Sequence, residues 1–237
     1  MWVVAHRGAS GHAPENTMAA FRRAVELGAM FIETDLQLSR DARFVAIHDE
    51  TLERTTNGEG PVHEWTLAEL RELDAGSWFG GEFIGERVPT LEEILRFARE
   101  TDVIFYLELK PCAPWGAEHA LVAALRDAGE AARTVVLSFD APTLAAVRRL
   151  DPTLMTGLLA DVPHANLIER ATLVGARQLA LRGDLVTPER LAEARRHDLQ
   201  VVTWTINHPA HMQALMAAGV DGIFTDYPDR LLAVHRR

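Results

Sequence analysis

Short apolar runs alternate along the chain with stretches in which apolar side chains recur every three or four positions. The first pattern predicts strands and the second predicts helices that bury one face. Strands are expected at Val3–His6, Phe31–Asp35, Ile104–Lys110, Thr134–Phe139, Met155–Leu159, Gln178–Leu181, Gln200–Thr205 and Gly222–Asp226. Strands that alternate with helices belong to a parallel sheet, and eight of them close a (β/α)8 barrel, a fold of about 250 residues.

The helical stretches carry their own signals. Met18, Phe21, Val25 and Leu27 form an apolar stripe that ends at Gly28, and Leu91, Ile94, Leu95 and Ala98 form another. Thr90 with Glu93, after Pro89, reads as a capping box. Further helices are expected at 117–128, 141–150, 188–197 and 209–218. One strand, Phe44–His48, does not fit the parallel count. Only Arg40 to Arg43 separate it from Leu36–Ser39, too few for a crossover, so the pair should be an antiparallel hairpin. Counting from the turn sets residue 39 opposite 44 and residue 35 opposite 48. His48 would then return beside Asp35.

Residues 49 to about 89 interrupt the alternation with Gly58, Gly60, Gly76, Gly80, Gly81 and Gly85 and with Trp65, Trp78, Phe79 and Phe83. A helix capped by Thr66 and Glu69 lies inside it. A stretch of this length with its own aromatics reads as a small folded insertion. Its aromatics are expected to form its core, and its place after His48 should set it over the barrel mouth. The expected architecture is therefore one α/β domain over 1–237, with an inserted subdomain at about 49–89.

Composition narrows the partners. At 48% hydrophobic the chain can bury a full core, and its formal charge of −10 argues against a nucleic-acid or anionic-membrane surface. The opening apolar run, Trp2–Ala5, is short, and no later stretch approaches the roughly 18 apolar residues of a membrane span. A lone cysteine, Cys112, supports no internal disulfide and is compatible with a reducing compartment. A cytoplasmic protein without stable membrane association is expected.

Candidate chemistry gathers at the C-terminal ends of the predicted strands, where barrels of this kind carry their sites. Glu33 and Asp35 are two apart and share a face, as do Glu108 and Lys110. Lys110 is the one lysine among 24 basic residues, the others being arginines. Its position beside Glu108 calls for a compact ammonium rather than a planar fork. Three carboxylates, Glu33, Asp35 and Glu108, without a cysteine suit one hard divalent cation, Mg²⁺ or Ca²⁺. His6 and His48 come from separate elements toward one centre and could divide acid and base roles. Arg7 and the small residues after it form a loop that could grip an anion, and Trp204 could wall a polyol. The other histidines read as ordinary structural residues.

In order, the chain carries His6-Arg7-Gly8, Ala13-Pro14-Glu15-Asn16-Thr17, Ile32-Glu33-Thr34-Asp35, His48-Asp49 with Thr55-Thr56-Asn57-Gly58, Leu107-Glu108-Leu109-Lys110 and Trp204-Thr205-Ile206-Asn207. This series resembles the glycerophosphodiester phosphodiesterases, close to the small cytosolic bacterial type that accompanies glycerol 3-phosphate uptake. The likeness extends through Gly222-Ile223-Phe224-Thr225-Asp226. It implies a TIM barrel with a subdomain inserted after His48-Asp49, and hydrolysis of deacylated phospholipids to sn-glycerol 3-phosphate and an alcohol. It further implies metal binding by Glu33, Asp35 and Glu108, acid–base roles for His6 and His48, phosphate contacts from Arg7 and Lys110, and Trp204 beside the glycerol. Two other readings stay open: a lysophospholipase D or sphingomyelinase D-like activity on single-chain lipids, and a barrel that binds a polyol phosphate without turning it over. The sequence leaves oligomeric state open.

Overall fold

The computed structural model describes residues 1–110 and 116–235, so Pro111 and Cys112 lie outside the described residues. The strands are β1 (Trp2–Ala5), β2 (Phe31–Leu38), β3 (Phe44–Ala46), β4 (Ile104–Leu109), β5 (Thr134–Ser138), β6 (Met155–Ala160), β7 (Gln178–Arg182), β8 (Gln200–Trp204) and β9 (Gly222–Thr225). The sheet runs β1-β9-β8-β7-β6-β5-β4-β2-β3, and a further β1–β2 pairing joins its ends. Eight parallel strands thus close a TIM barrel, with β3 antiparallel on the far end of β2.

The alternation sorts side chains as expected. Val4, Tyr106, Leu137, Leu159, Val202 and Phe224 fill the barrel interior. Their neighbours, such as Ile32, Phe105, Leu107, Val136 and Leu158, face outward into a larger apolar layer beneath the helices. The helices are α1 (Met18–Glu26), α2 (Leu67–Leu70), α3 (Leu91–Thr101), α4 (Ala117–Asp127), α5 (Ala141–Leu150), α6 (Leu167–Leu173), α7 (Pro188–Arg196), α8 (Pro209–Ala218) and α9 (Pro228–His235). Capping boxes start α2 at Thr66 and α3 at Thr90, where threonine and glutamate satisfy each other's backbone amides. No helix among the described residues is long and apolar enough to cross a membrane.

Three details differ from the sequence reading. In α1 the deeply buried face is Ala20, Phe21 and Ala24, with Met18 and Val25 only half-buried. Ala20 matters because Gly8 packs directly on it: a Cβ at Gly8 would stand 2.6 Å from that of Ala20. The hairpin is one residue tighter than the count. Leu36, Gln37 and Leu38 face Ala46, Val45 and Phe44, so Asp35 lies opposite Ile47 rather than His48. Ser39 and Arg43 close a three-residue turn in which Ala42 takes a left-handed φ of 57°.

The third difference lies in residues 49–89. Their apolar cluster is aliphatic, built from Leu52, Val62, Leu70, Leu73 and Val88 against Val45 and Ile47 of the hairpin. Trp65 packs on its edge, whereas Trp78, Phe79 and Phe83 form an edge-to-face ladder outside it, with Trp78 40% exposed. Rings need room on several sides to bury fully, and the glycine-rich backbone around residues 76–85 provides few neighbours. None of residues 49–89 lines the central cavity described next.

Candidate active site

A cavity of ≈ 160 Å³ opens at the C-terminal end of the barrel, lined by His6, Arg7, Glu33, His48, Glu108, Lys110, Leu137, Phe139, Leu159, Trp204, Thr205 and Phe224. Seven of the eight residues singled out from the sequence border it. The eighth, Asp35, is 1% exposed and sits directly behind, paired with Lys110 at 2.8 Å and facing Arg7 Nε at 3.3 Å.

The carboxylates come together because β2 and β4 are neighbours in register, with Asp35 opposite Glu108. One oxygen from each of Glu33, Asp35 and Glu108 falls within 4.8 Å of the others, and all three residues are buried. Burial first, and then the Asp35 charge, drive the Glu33 carboxyl well above its usual range. The same two causes, opposed by Lys110, push Glu108 up to about 7. Asp35 goes the other way. Burial again favours its neutral form, but Lys110, Arg7 and His48 outweigh it and hold the group ionised. Burial likewise works against the Arg7 and Lys110 cations, but Asp35, with Glu15 and Glu33 at Arg7 and with Glu108 at Lys110, overcomes it and raises both.

The donor set fits a divalent cation. Glu108 Oε1 lies 2.6 Å from Lys110 Nζ but makes no aligned hydrogen bond, so one buried oxygen faces the cluster without an aligned donor. Arg7 and Lys110 against three carboxylates leave a formal charge of −1. A divalent ion would turn that to +1, opposite to a phosphodiester, and would favour the charged forms of the two raised carboxyls against their burial.

Arg7 owes its position to the backbone. Arg7 and Gly8 are both left-handed, with φ of 55° and 81°. That turn points the Arg7 amide at Glu33 Oε2, 2.9 Å away, while its guanidinium donates to Glu15 Oε1 at 2.7 Å. Holding a non-glycine residue in this region costs roughly 1–3 kcal/mol, which the surrounding contacts must offset.

Each histidine is backed by an aspartate. His6 Nδ1 lies 2.7 Å from Asp226 Oδ1, and His48 Nδ1 lies 2.7 Å from Asp49 Oδ1. Burial disfavours the Asp226 charge, yet contacts with His6, Asn207 and Ser10 hold its carboxyl down to about 2. Asp49 is also held down to about 2, first by hydrogen bonds from Arg54 and further by His48. Ionised carboxylates only accept, so both rings carry a proton on Nδ1, and Nε2 is the nitrogen left for exchange. The His6 Nε2 stands 3.5 Å from Thr205 Oγ1 and 4.0 Å from Glu33. Burial, with Arg7 and Lys110 nearby, lowers the affinity of His48 for a second proton, against the pull of Asp35 and Asp49. Gln37, on β2, holds the returning strand by donating to the carbonyls of Ile47, His48 and Asp49.

The opposite wall is apolar. Trp204 anchors its indole N–H on the Ala180 carbonyl at 3.0 Å and meets Phe139 edge-on, with Leu137, Leu159 and Phe224 alongside.

A model of the Glycerophosphoryl diester phosphodiesterase family matches residues 6–230. The chain belongs to that family. A glycerophosphodiester phosphodiesterase of Caldanaerobacter subterraneus is 39% identical over 99% of this chain and 98% of its own length. One from Bacillus subtilis is 36% identical over 96% of this chain and 84% of its own. An Oleispira antarctica phosphodiesterase, solved in complex with the product sn-glycerol-3-phosphate, superposes with a TM-score of 0.92 at 31% identity, covering 100% of this chain and 97% of that one. Among glycerophosphoryl diester phosphodiesterases, then, this chain keeps a full-length barrel.

Sequence reasoning missed the residues around the site more than those in it. Asp49 and Asp226 were visible at strand ends without a role, and Glu15 and Asn16 only as part of a motif. Asn16 donates to Asp35 Oδ2 at 2.8 Å and accepts from Thr34. The apolar wall was detectable in principle, because Leu137 and Phe139 are two apart at the end of β5.

Proposed function

We propose that the chain hydrolyses glycerophosphodiesters to sn-glycerol 3-phosphate and an alcohol, with His6 and His48 as the acid–base pair. One observation carries this reading: two aspartate-backed histidines, two half-buried cations and a buried three-carboxylate cluster meet at one small cavity. The full-length likeness to a phosphodiesterase that holds sn-glycerol-3-phosphate supports it.

Arg7 and Lys110 bind the phosphate oxygens and offset the charge that gathers there during displacement. Glu33, Asp35 and Glu108 would hold one Mg²⁺ or Ca²⁺, which supplies further neutralisation of the diester and of the developing charge. One histidine, through Nε2, takes the proton of the attacking hydroxyl or water. The other, carrying a second proton on Nε2, gives it to the departing alcohol oxygen, and exchange with solvent resets both rings after each turnover. Asp226 and Asp49 accept from Nδ1 and so leave Nε2 as the nitrogen that exchanges protons with the substrate. Trp204 and the leucines beside it exclude water and flank the carbon chain of the glycerol half. A cytoplasmic setting is inferred from the single cysteine.

Glycerophosphocholine assayed with Mg²⁺ or Ca²⁺ should release sn-glycerol 3-phosphate, and EDTA should abolish release. Binding without release would favour the polyol-phosphate binder. Faster turnover of lysophosphatidylcholine would favour the single-chain-lipid activity.

A further inference from the structure

We infer that Arg54 is a positioning residue that ties the phosphate-gripping arginine and one acid–base histidine into a single frame. The inference rests on the reading above for its chemistry and on contacts outside the cavity for its geometry. Arg54 lies on the segment after His48, is 44% exposed, and does not line the cavity. Its guanidinium nevertheless makes two two-point contacts. Nε and Nη2 donate to Asp49 Oδ2 and Oδ1 at 2.5 and 3.0 Å, and Nη1 and Nη2 donate to Glu15 Oε2 and Oε1 at 2.8 Å each.

Each of those carboxylates holds one functional group. Asp49 Oδ1 is 2.7 Å from His48 Nδ1, and Glu15 Oε1 is 2.7 Å from Arg7 Nη1. The run His48–Asp49–Arg54–Glu15–Arg7 is continuous, and Asp35 faces its Arg7 end at 3.3 Å. A carboxylate on a flexible side chain can orient a ring only if its own plane is fixed. A planar fork engaging both oxygens fixes it, and one fork here fixes two. Lysine would keep the charge without the fork. The same geometry separates this role from stabilisation, because Arg54 itself is half-exposed and Glu15 keeps its contact with Arg7 without it, so the solvent-screened pairs add little to folding. Arg43, paired with Glu92 at 2.5 Å on the exterior, is an ion pair with no such route inward.

The test compares wild type with Arg54→Lys, Arg54→Ala and, as control, Arg43→Lys. Turnover of glycerophosphocholine, melting temperature and the histidine ring-proton NMR spectrum are measured on each. Both Arg54 variants should lose about 10- to 100-fold in kcat/KM, with kcat falling and KM rising because the two branches reach different groups. Their melting temperature should stay within about 2 °C of wild type. The downfield His48 Nδ1 proton should broaden or vanish, and Arg43→Lys should change nothing. A loss below about threefold in Arg54→Ala with its ring proton intact overturns the inference, as does a loss that only tracks melting temperature. The ring signal reports orientation whether or not the diester is cleaved. A silent wild-type assay would therefore count against the proposed function and not against Arg54.

Discussion

The two walls of the cavity follow opposite rules. The wall from β1, β2 and β4 is built from buried charges, each held by partners: Asp35 by Lys110 and Asn16, Arg7 by Glu15, Glu33 by the Arg7 amide. The wall from β5, β6, β8 and β9 is apolar packing with one indole anchor. Desolvated charges depend steeply on their neighbours, so the first wall has little freedom to vary. Apolar packing tolerates exchange when volume is kept, so the second can change with a modest effect. In the proposed mechanism the first wall fixes the chemistry, and the second is where the shape of the substrate can be tuned.

The largest expected effect comes from the histidines. His6→Ala and His48→Ala should each lower kcat by roughly 10²–10⁴ with the fold intact. Near-normal turnover in both, with Mg²⁺ or Ca²⁺ present, would remove the acid–base assignment. Glu108→Gln should follow, raising the metal concentration for half-maximal rate about 10- to 100-fold. It should also expose the cost of the charged wall. Because the folded pKa of Glu108 is raised from 4.5 to about 7, its stabilising proton is fully bound below 4.5 and lost as pH climbs through about 7. The metal-free protein should therefore melt progressively lower across that window. Added cation should oppose the fall, and Glu108→Gln should flatten it. A metal-free melting curve that rises from pH 5 to 7.5 would contradict the buried-carboxylate account. The smallest effect on rate belongs to the other wall. Leu159→Ala should cost about 2–5 kcal/mol of stability in a denaturant titration and less than about tenfold in kcat/KM. A rate loss matching the histidines would erase the contrast between the walls.

The same contrast explains what could be read from the chain. Glu33 with Asp35, and Glu108 with Lys110, were legible because a strand has a fixed period and adjacent parallel strands carry such pairs side by side. The closed barrel followed from the same arithmetic. Asp49, Glu15 and Arg54 were not legible as partners, because they meet through loops whose course depends on left-handed residues such as Arg7 and Asn16, and nothing local in the sequence announces those. The hairpin register slipped for a related reason. Ala42 is not a residue that advertises a left-handed turn, yet Ser39 Oγ, donating to Asp41 and accepting from the Arg43 amide, closes the loop around it. In residues 49–89 the aromatics drew attention, while the aliphatic side chains, with fewer demands on shape, became the packed cluster.

With a divalent ion bound, the charged wall would be a spot of attraction recessed in a body of formal charge −10. At a distance an anionic diester meets only repulsion, and the favourable field takes over within about one Debye length, roughly 8 Å at physiological ionic strength. Raising salt should thus quicken capture of a net-negative diester rather than slow it. A zwitterionic one, whose ammonium cancels its phosphate, should arrive at a rate almost indifferent to salt.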